Sequence, residues 1–96
     1  LIDGDLRRPK ISRRFGISNE RFGLVDYLAG QATIDEILVE TTVDHLTVIP
    51  AGSNTPNPTE LLGSAKMGDL IRRLRERFDV ILIDAAPVLP VADSLM

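Results

Sequence analysis

The chain has 96 residues, 44% of them hydrophobic, which is enough for one small globular unit and too few for two domains. Its 11 Lys and Arg stand against 14 Asp and Glu, and the net charge of −3 argues mildly against nucleic acid as the main partner. There is no cysteine, hence no disulfide framework and no thiolate metal site, and no run approaches the ~18 apolar residues of a membrane span or resembles a signal peptide.

Leu1-Ile2 reads as the end of a buried strand, followed by a loop framed by Gly4 and Pro9 that carries Asp3, Asp5, Arg7 and Arg8. A strand with half its length absent implies a piece of a larger domain. Lys10 to Phe15 is a short helix candidate stopped by Gly16, with Ile11 and Phe15 on one face. Leu24 to Ala29 is a second, stopped by Gly30. Thr33-Ile34-Asp35-Glu36 has the spacing of a capping box, and Ile34, Ile37 and Leu38 supply the apolar stripe behind it.

Leu46 to Ile49 is a strand candidate that ends at Pro50-Ala51-Gly52. A rigid loop, Ser53 to Pro58, leads into the next helix with Asn57 as cap, Pro58 in the first helical position and Glu60 at capping-box spacing. Ala65 to Phe78 is the best helix, with Met67, Leu70, Ile71, Leu74 and Phe78 on one face. Val80-Ile81-Leu82-Ile83-Asp84 is an unbroken apolar run closed by a carboxylate, the pattern of a strand buried on both faces of a parallel sheet. Alternating strands and helices predict an α/β fold with helices packed on a mainly parallel sheet.

In such sheets ligands bind beyond the carboxyl ends of the strands. Asp3 and Asp84 each follow an apolar run, so parallel pairing would place both at one rim, with Asp5 two residues further on. Clustered carboxylates resist ionisation unless a cation neutralises them, and Mg²⁺ suits an all-oxygen donor set near phosphates. The alternative, that Asp3 and Asp84 merely end their strands and cap turns, stays open on position alone.

Leu1-Ile2-Asp3-Gly4-Asp5-Leu6-Arg7-Arg8-Pro9 resembles the Walker A′ motif of the bacterial tyrosine kinases of capsule and exopolysaccharide export. Val80 to Asp84 with Ala85 to Asp93 is similar to their Walker B region, and Pro50-Ala51-Gly52 with Pro56 to Leu62 to their central segment. Ala86 departs from the further proline that the family commonly has there. The resemblance implies a P-loop NTPase-like fold of the deviant Walker group, incomplete here, with residues 1 to 96 forming a partial nucleotide-binding kinase domain. The family's glycine-rich Walker A loop and tyrosine-rich tail have no counterpart among these residues.

By that resemblance the parent transfers the γ-phosphoryl group of ATP to tyrosines on the tail of a neighbouring subunit. Asp3 would orient or deprotonate the attacking hydroxyl and lie close to the metal, and Asp5 and Asp84 would hold Mg²⁺, directly or through water. Arg7 belongs to the same motif, with its role divided between orienting the loop and neutralising phosphate. Further implied are a homo-oligomer, a membrane polysaccharide co-polymerase or adaptor, fused or separate, and a cytoplasmic position at the inner face of a bacterial plasma membrane. The 96-residue chain by itself is expected neither to bind ATP appreciably nor to phosphorylate. Two other readings compete with the kinase: a positioning or partition ATPase acting as a nucleotide switch, and an inactive chain-length regulator of polysaccharide export.

Some residues invite plainer accounts. Arg7, Arg8, Lys10, Arg13 and Arg14 form a basic cluster that a solvated helix face or contact with an acidic partner surface or phosphates would each explain. Tyr27 is expected to pack rather than to accept phosphate, and His45 to sit at the surface or in a turn.

Overall fold

The computed structural model describes residues 1–6, 9–18 and 20–84. In chain order the elements are β1 (Ile2–Asp3), α1 (Ile11–Arg14), α2 (Leu24–Leu28), α3 (Ile34–Ile37), β2 (Val39–Glu40), β3 (Thr47–Val48), α4 (Pro58–Leu62), α5 (Ala65–Arg75) and β4 (Ile83–Asp84). Arg7, Arg8 and the Ala85 to Asp93 continuation of the second apolar run lie outside the described residues.

Strand β1 is the centre of the parallel array, because its successive backbone groups point to opposite sides. The N–H groups of Ile2 and Gly4 donate to the carbonyls of Leu82 and Asp84, both at 2.8 Å, while Asp3 N–H donates to Ile49 O at 2.9 Å on the other side. Parallel pairing with β4 sets Ile2 against Ile83 and Asp3 against Asp84, and a parallel bridge joins Ile2 to Ile49. A short antiparallel pair, β2 with β3, extends the array; β2 carries no periodic signal in the sequence. His45 is exposed in the turn joining them and adopts φ 63°.

The core lies between this array and the helices. Ile2, Leu24, Ile37 and Leu70 are wholly or almost wholly buried, joined by Ile49 and Leu74. Each such side chain contributes about 1.5–3 kcal/mol relative to exposure. Leu70 and Leu74, one turn apart on α5, form its buried stripe, with Met67, Ile71 and Phe78 partly buried beside them. Tyr27 is buried as a packing residue, and the Lys66 ammonium sits 5.1 Å from its ring centroid.

Local signals are realised where their partners are local. Gly16 (φ 66°) and Gly30 (φ 81°) end the first two helical segments in the left-handed conformation that glycine adopts without cost to a Cβ. Thr33 and Glu36 form the expected capping box: Thr33 N–H donates to Glu36 Oε1 at 2.9 Å and Glu36 N–H to Thr33 Oγ1 at 3.3 Å.

Three expectations are corrected. Asn57 occupies the N-cap position of α4, but its side chain makes no cap bond. Its Nδ2 donates to Glu60 Oε2 at 3.0 Å and its Oδ1 accepts from Thr55 Oγ1 at 2.9 Å, so both ends of the amide are used by side chains. Helix α5 stops at Arg75; Arg77 and Phe78 N–H both donate to Leu74 O in a closing turn. Finally, Val80 to Asp84 is not buried on both faces. Val80 is 72% exposed and Leu82 60%, while Ile81 packs against the core. Ile83 is 45% exposed as well, so within this chain only Ile81 of the run is turned to the core, and β4 pairs with β1 alone among the described strands.

Candidate functional site

The parallel register decides where the acidic residues meet. Asp3 and Asp84 are direct partners at the carboxyl ends of β1 and β4, and so share one rim of the sheet. Gly4 lets the two strand ends stay close: a Cβ at this position would lie 3.0 Å from Ile83 Cγ2 and 3.1 Å from Asp84 O. Asp84 is exposed, and Asp5 is half-buried in the loop just beyond the strand.

Asp3 is completely buried. Its Oδ1 accepts the N–H of Asp5 at 3.1 Å, and its Oδ2 accepts those of Lys10 and Ile11, each at 3.1 Å. Burial raises its pKa above the usual carboxylate value; the three N–H bonds pull the other way, and the negative charge of Asp84 adds to the rise. The carboxylate thus ties the start of the acidic loop to the first turn of α1.

Among the described residues, no three His, Cys, Asp or Glu side chains converge in a group that could hold a metal ion. Asp3 and Asp84 are brought to one edge and Asp5 follows them, whereas Arg7 lies outside the described residues. Tested against Mg²⁺, the donor set divides. Asp84 is exposed at the rim and Asp5 half-buried just beyond it, while Asp3 accepts one backbone amide on Oδ1 and two on Oδ2.

A second feature of the same rim was not legible as a site residue. Asp26, in α2, is 6% exposed and holds the loop that leaves Ile49. Its Oδ2 accepts from Gly23 N–H at 2.9 Å and from Ser53 N–H at 3.2 Å, and its Oδ1 accepts from Ser53 Oγ at 2.6 Å. Leu24 and Val25 N–H donate to the carbonyls of Pro50 and Ala51 at 2.7 and 2.8 Å, so the start of α2 is docked backbone to backbone on this loop. The only local hint was an acidic residue three positions after a helix-preceding glycine, which is half of a capping box. Its partner Ser53 is 27 residues away.

No family model matches the chain. It is 39% identical over 94 residues to the tyrosine-protein kinase CpsD of Streptococcus pneumoniae, covering 98% of this chain and 41% of the relative. Among solved structures, the kinase domain of VpsO superposes with a TM-score of 0.87 at 40% identity, over 97% of this chain and 46% of that one. The septum site-determining protein MinD from Pyrococcus horikoshii, complexed with Mg-ADP, gives 0.73 at 27% identity, over 93% of this chain and 36% of that one.

The parallel strands, the flanking helices and these neighbours define an α/β domain of the P-loop NTPase class. Within that class the chain is homologous, over nearly its whole length, to the bacterial tyrosine-protein kinases. It spans about two fifths of the length of the curated relative, 41%.

Proposed function

We propose that the protein containing this segment is an ATP-dependent tyrosine kinase that phosphorylates itself and regulates capsular or exopolysaccharide synthesis and export. The observation that carries the reading is the pairing of Asp3 with Asp84, which gathers the acidic residues of two separated motifs at one carboxyl-end rim. Asp5 and Asp84 are the residues that would hold Mg²⁺. When bound, the cation supplies charge neutralisation to the transferring phosphoryl group, a reaction that depends mostly on positioning and electrostatics. Asp3 ends β1 immediately before the acidic loop, and Arg7, two positions after Asp5 in the sequence, would orient the loop or meet phosphate.

The tyrosine acceptors belong to a tail on a neighbouring subunit of a homo-oligomer. A membrane polysaccharide co-polymerase or adaptor, fused or separate, would hold the domain at the inner face of the plasma membrane. Among the described residues no helix is long and apolar enough to cross a membrane.

A nucleotide-switched positioning ATPase is the second reading, favoured by the MinD likeness, which is weaker in both TM-score and identity than that to the kinase domain. The test is phosphotyrosine formation from Mg·ATP by the longer parent protein, with Asp5→Asn and Asp84→Asn as variants. Loss of at least about a hundredfold in each variant is expected. ATP hydrolysis without phosphotyrosine in the unsubstituted protein would transfer the assignment to the switch reading.

A further inference from the structure

Asp3 joins two unlike surfaces. Its Oδ1 accepts the N–H of Asp5, in the acidic loop, and its Oδ2 accepts the N–H groups of Lys10 and Ile11, where α1 begins. Lys10, Arg13 and Arg14, on and just before α1, are all exposed, and with Pro9 they line an open hollow of about 510 Å³. Their charges are not matched locally. Among the described residues, ion pairs join Arg72 to Asp69 and Arg77 to Asp35, and none involves Lys10, Arg13 or Arg14. Like charges three and four positions apart repel across a helical turn; Arg13 and Arg14 suit the last turn of α1, whereas Lys10 at its start does not. A chain of net charge −3 thus concentrates uncompensated cations at the edge of the candidate site.

Cations beside a phosphoryl-transfer site can meet either nucleotide or acceptor. The residues proposed to hold Mg²⁺, and with it the nucleotide, are Asp5 and Asp84, while the basic turn is joined to Asp3 through its other oxygen. An acceptor hydroxyl brought to the rim beside Asp3 carries its flanking residues across the neighbouring surface, and there the surface is basic. We infer that the acceptor of this site is an acidic segment, whose Asp and Glu carboxylates near the target tyrosine dock on Lys10, Arg13 and Arg14. The inference rests on reading the rim as a kinase active site and names its substrate class: a tyrosine with carboxylates within a few residues of it. The two guanidiniums offer carboxylates a planar fork of donors that an ammonium lacks. Exposed pairs of this kind speed encounter and fix register, and they weaken with salt.

The test uses the longer parent protein with Mg·ATP and two synthetic tyrosine peptides that differ only in carrying glutamates or glutamines around the tyrosine. The glutamate peptide is expected to have a kcat/KM at least about tenfold higher at low salt, the difference lying in KM and shrinking as NaCl is raised. Arg13→Gln with Arg14→Gln should bring the two peptides to within about twofold of each other. Both side chains are exposed, so the double variant should melt with the unsubstituted protein. Equal use of the two peptides by the unsubstituted protein overturns the inference, as does a preference that the double variant retains. A raised KM for ATP in place of the lost preference also overturns it, and would assign the cations to the nucleotide. Fluorescence anisotropy of the labelled peptides, with the same two proteins, keeps this failure apart from failure of the kinase reading. The glutamate peptide should bind at least about tenfold more tightly than the glutamine peptide and lose that advantage in the double variant. Absence of phosphotyrosine from protein and peptides alike sinks the kinase reading and with it the acceptor role; absence of the binding preference sinks the docking itself.

Discussion

Gly23 and Gly52 face each other with no room for a side chain between them. A Cβ on Gly23 would lie 2.4 Å from Gly52 N, and one on Gly52 would lie 2.7 Å from Gly23 N and 2.3 Å from Asp26 Oδ2. Gly52 also adopts φ 85°, where any side chain is strained. Gly23→Ala and Gly52→Ala are each expected to lower stability by about 2–4 kcal/mol, since the obstructing atoms are largely backbone and cannot turn aside. Urea unfolding measures this. A loss under about 0.5 kcal/mol for Gly52→Ala would show that the loop and α2 do not meet so closely.

The same junction depends on Asp26. Asp26→Ala removes the acceptor for Gly23 N–H, Ser53 N–H and Ser53 Oγ, at an expected cost of about 2–3 kcal/mol. Ser53→Ala removes one of those bonds from an exposed residue and should cost about 1 kcal/mol. A double-mutant cycle is expected to give a coupling of about 1 kcal/mol, and strict additivity would deny that the two side chains interact.

Leu74, on the apolar face of a helix, and Leu82, in an unbroken apolar run, both read as core positions in the sequence, but their burial is opposite. Leu74 is 2% exposed and Leu82 is 60% exposed. Leu74→Ala should cost about 2–5 kcal/mol through lost burial and the cavity left behind. Leu82→Ser in the same 96-residue chain should change stability by no more than about 0.5 kcal/mol. Comparable losses at both positions would mean that the outer face of β4 is covered.

Asp3 sets a pH dependence of stability with a definite sign. Its folded pKa lies above the ordinary value of 3.8, chiefly through burial, so the folded state binds this proton more tightly than the unfolded one. Its contribution is therefore full below the unfolded pKa and is lost as pH rises through the folded pKa. Taken as the difference between the unsubstituted chain and Asp3→Asn in metal-free buffer, so that other carboxylates largely cancel, the stability advantage of Asp3 should be greatest below about pH 3.8. It should shrink as pH rises and then level off. An advantage that grew with pH across that interval would show that the amide bonds to Asp3 outweigh its burial.

The readable features share a short range. Gly16 and Gly30 mark helix ends through their own backbone freedom, Thr33 and Glu36 cap a helix across three residues, and Leu70 and Leu74 define a face across one turn. Asp3 and Asp84 were visible as strand-terminal acids because each stands at the end of its own apolar run. The misreadings occurred where partners compete or lie far away. Asn57 had the spacing of a cap, yet Thr55 and Glu60 take its side chain. Strand β2 has too short a pattern to register without β3 beside it.

By itself the sequence determined the alternation of strands and helices, the stops between them and the identity of the acidic residues, all of which depend on neighbours a few positions apart. Only the tertiary structure decided that Asp3 sits directly beside Asp84 across β1 and β4, and that Asp3 is buried against the amides of its loop while Asp84 is open. It also decided that Asp26 holds Ser53. Each of these rests on a hydrogen bond or a register formed between distant segments, and burial, which shifts how readily a carboxylate ionises, exists only once those segments have met.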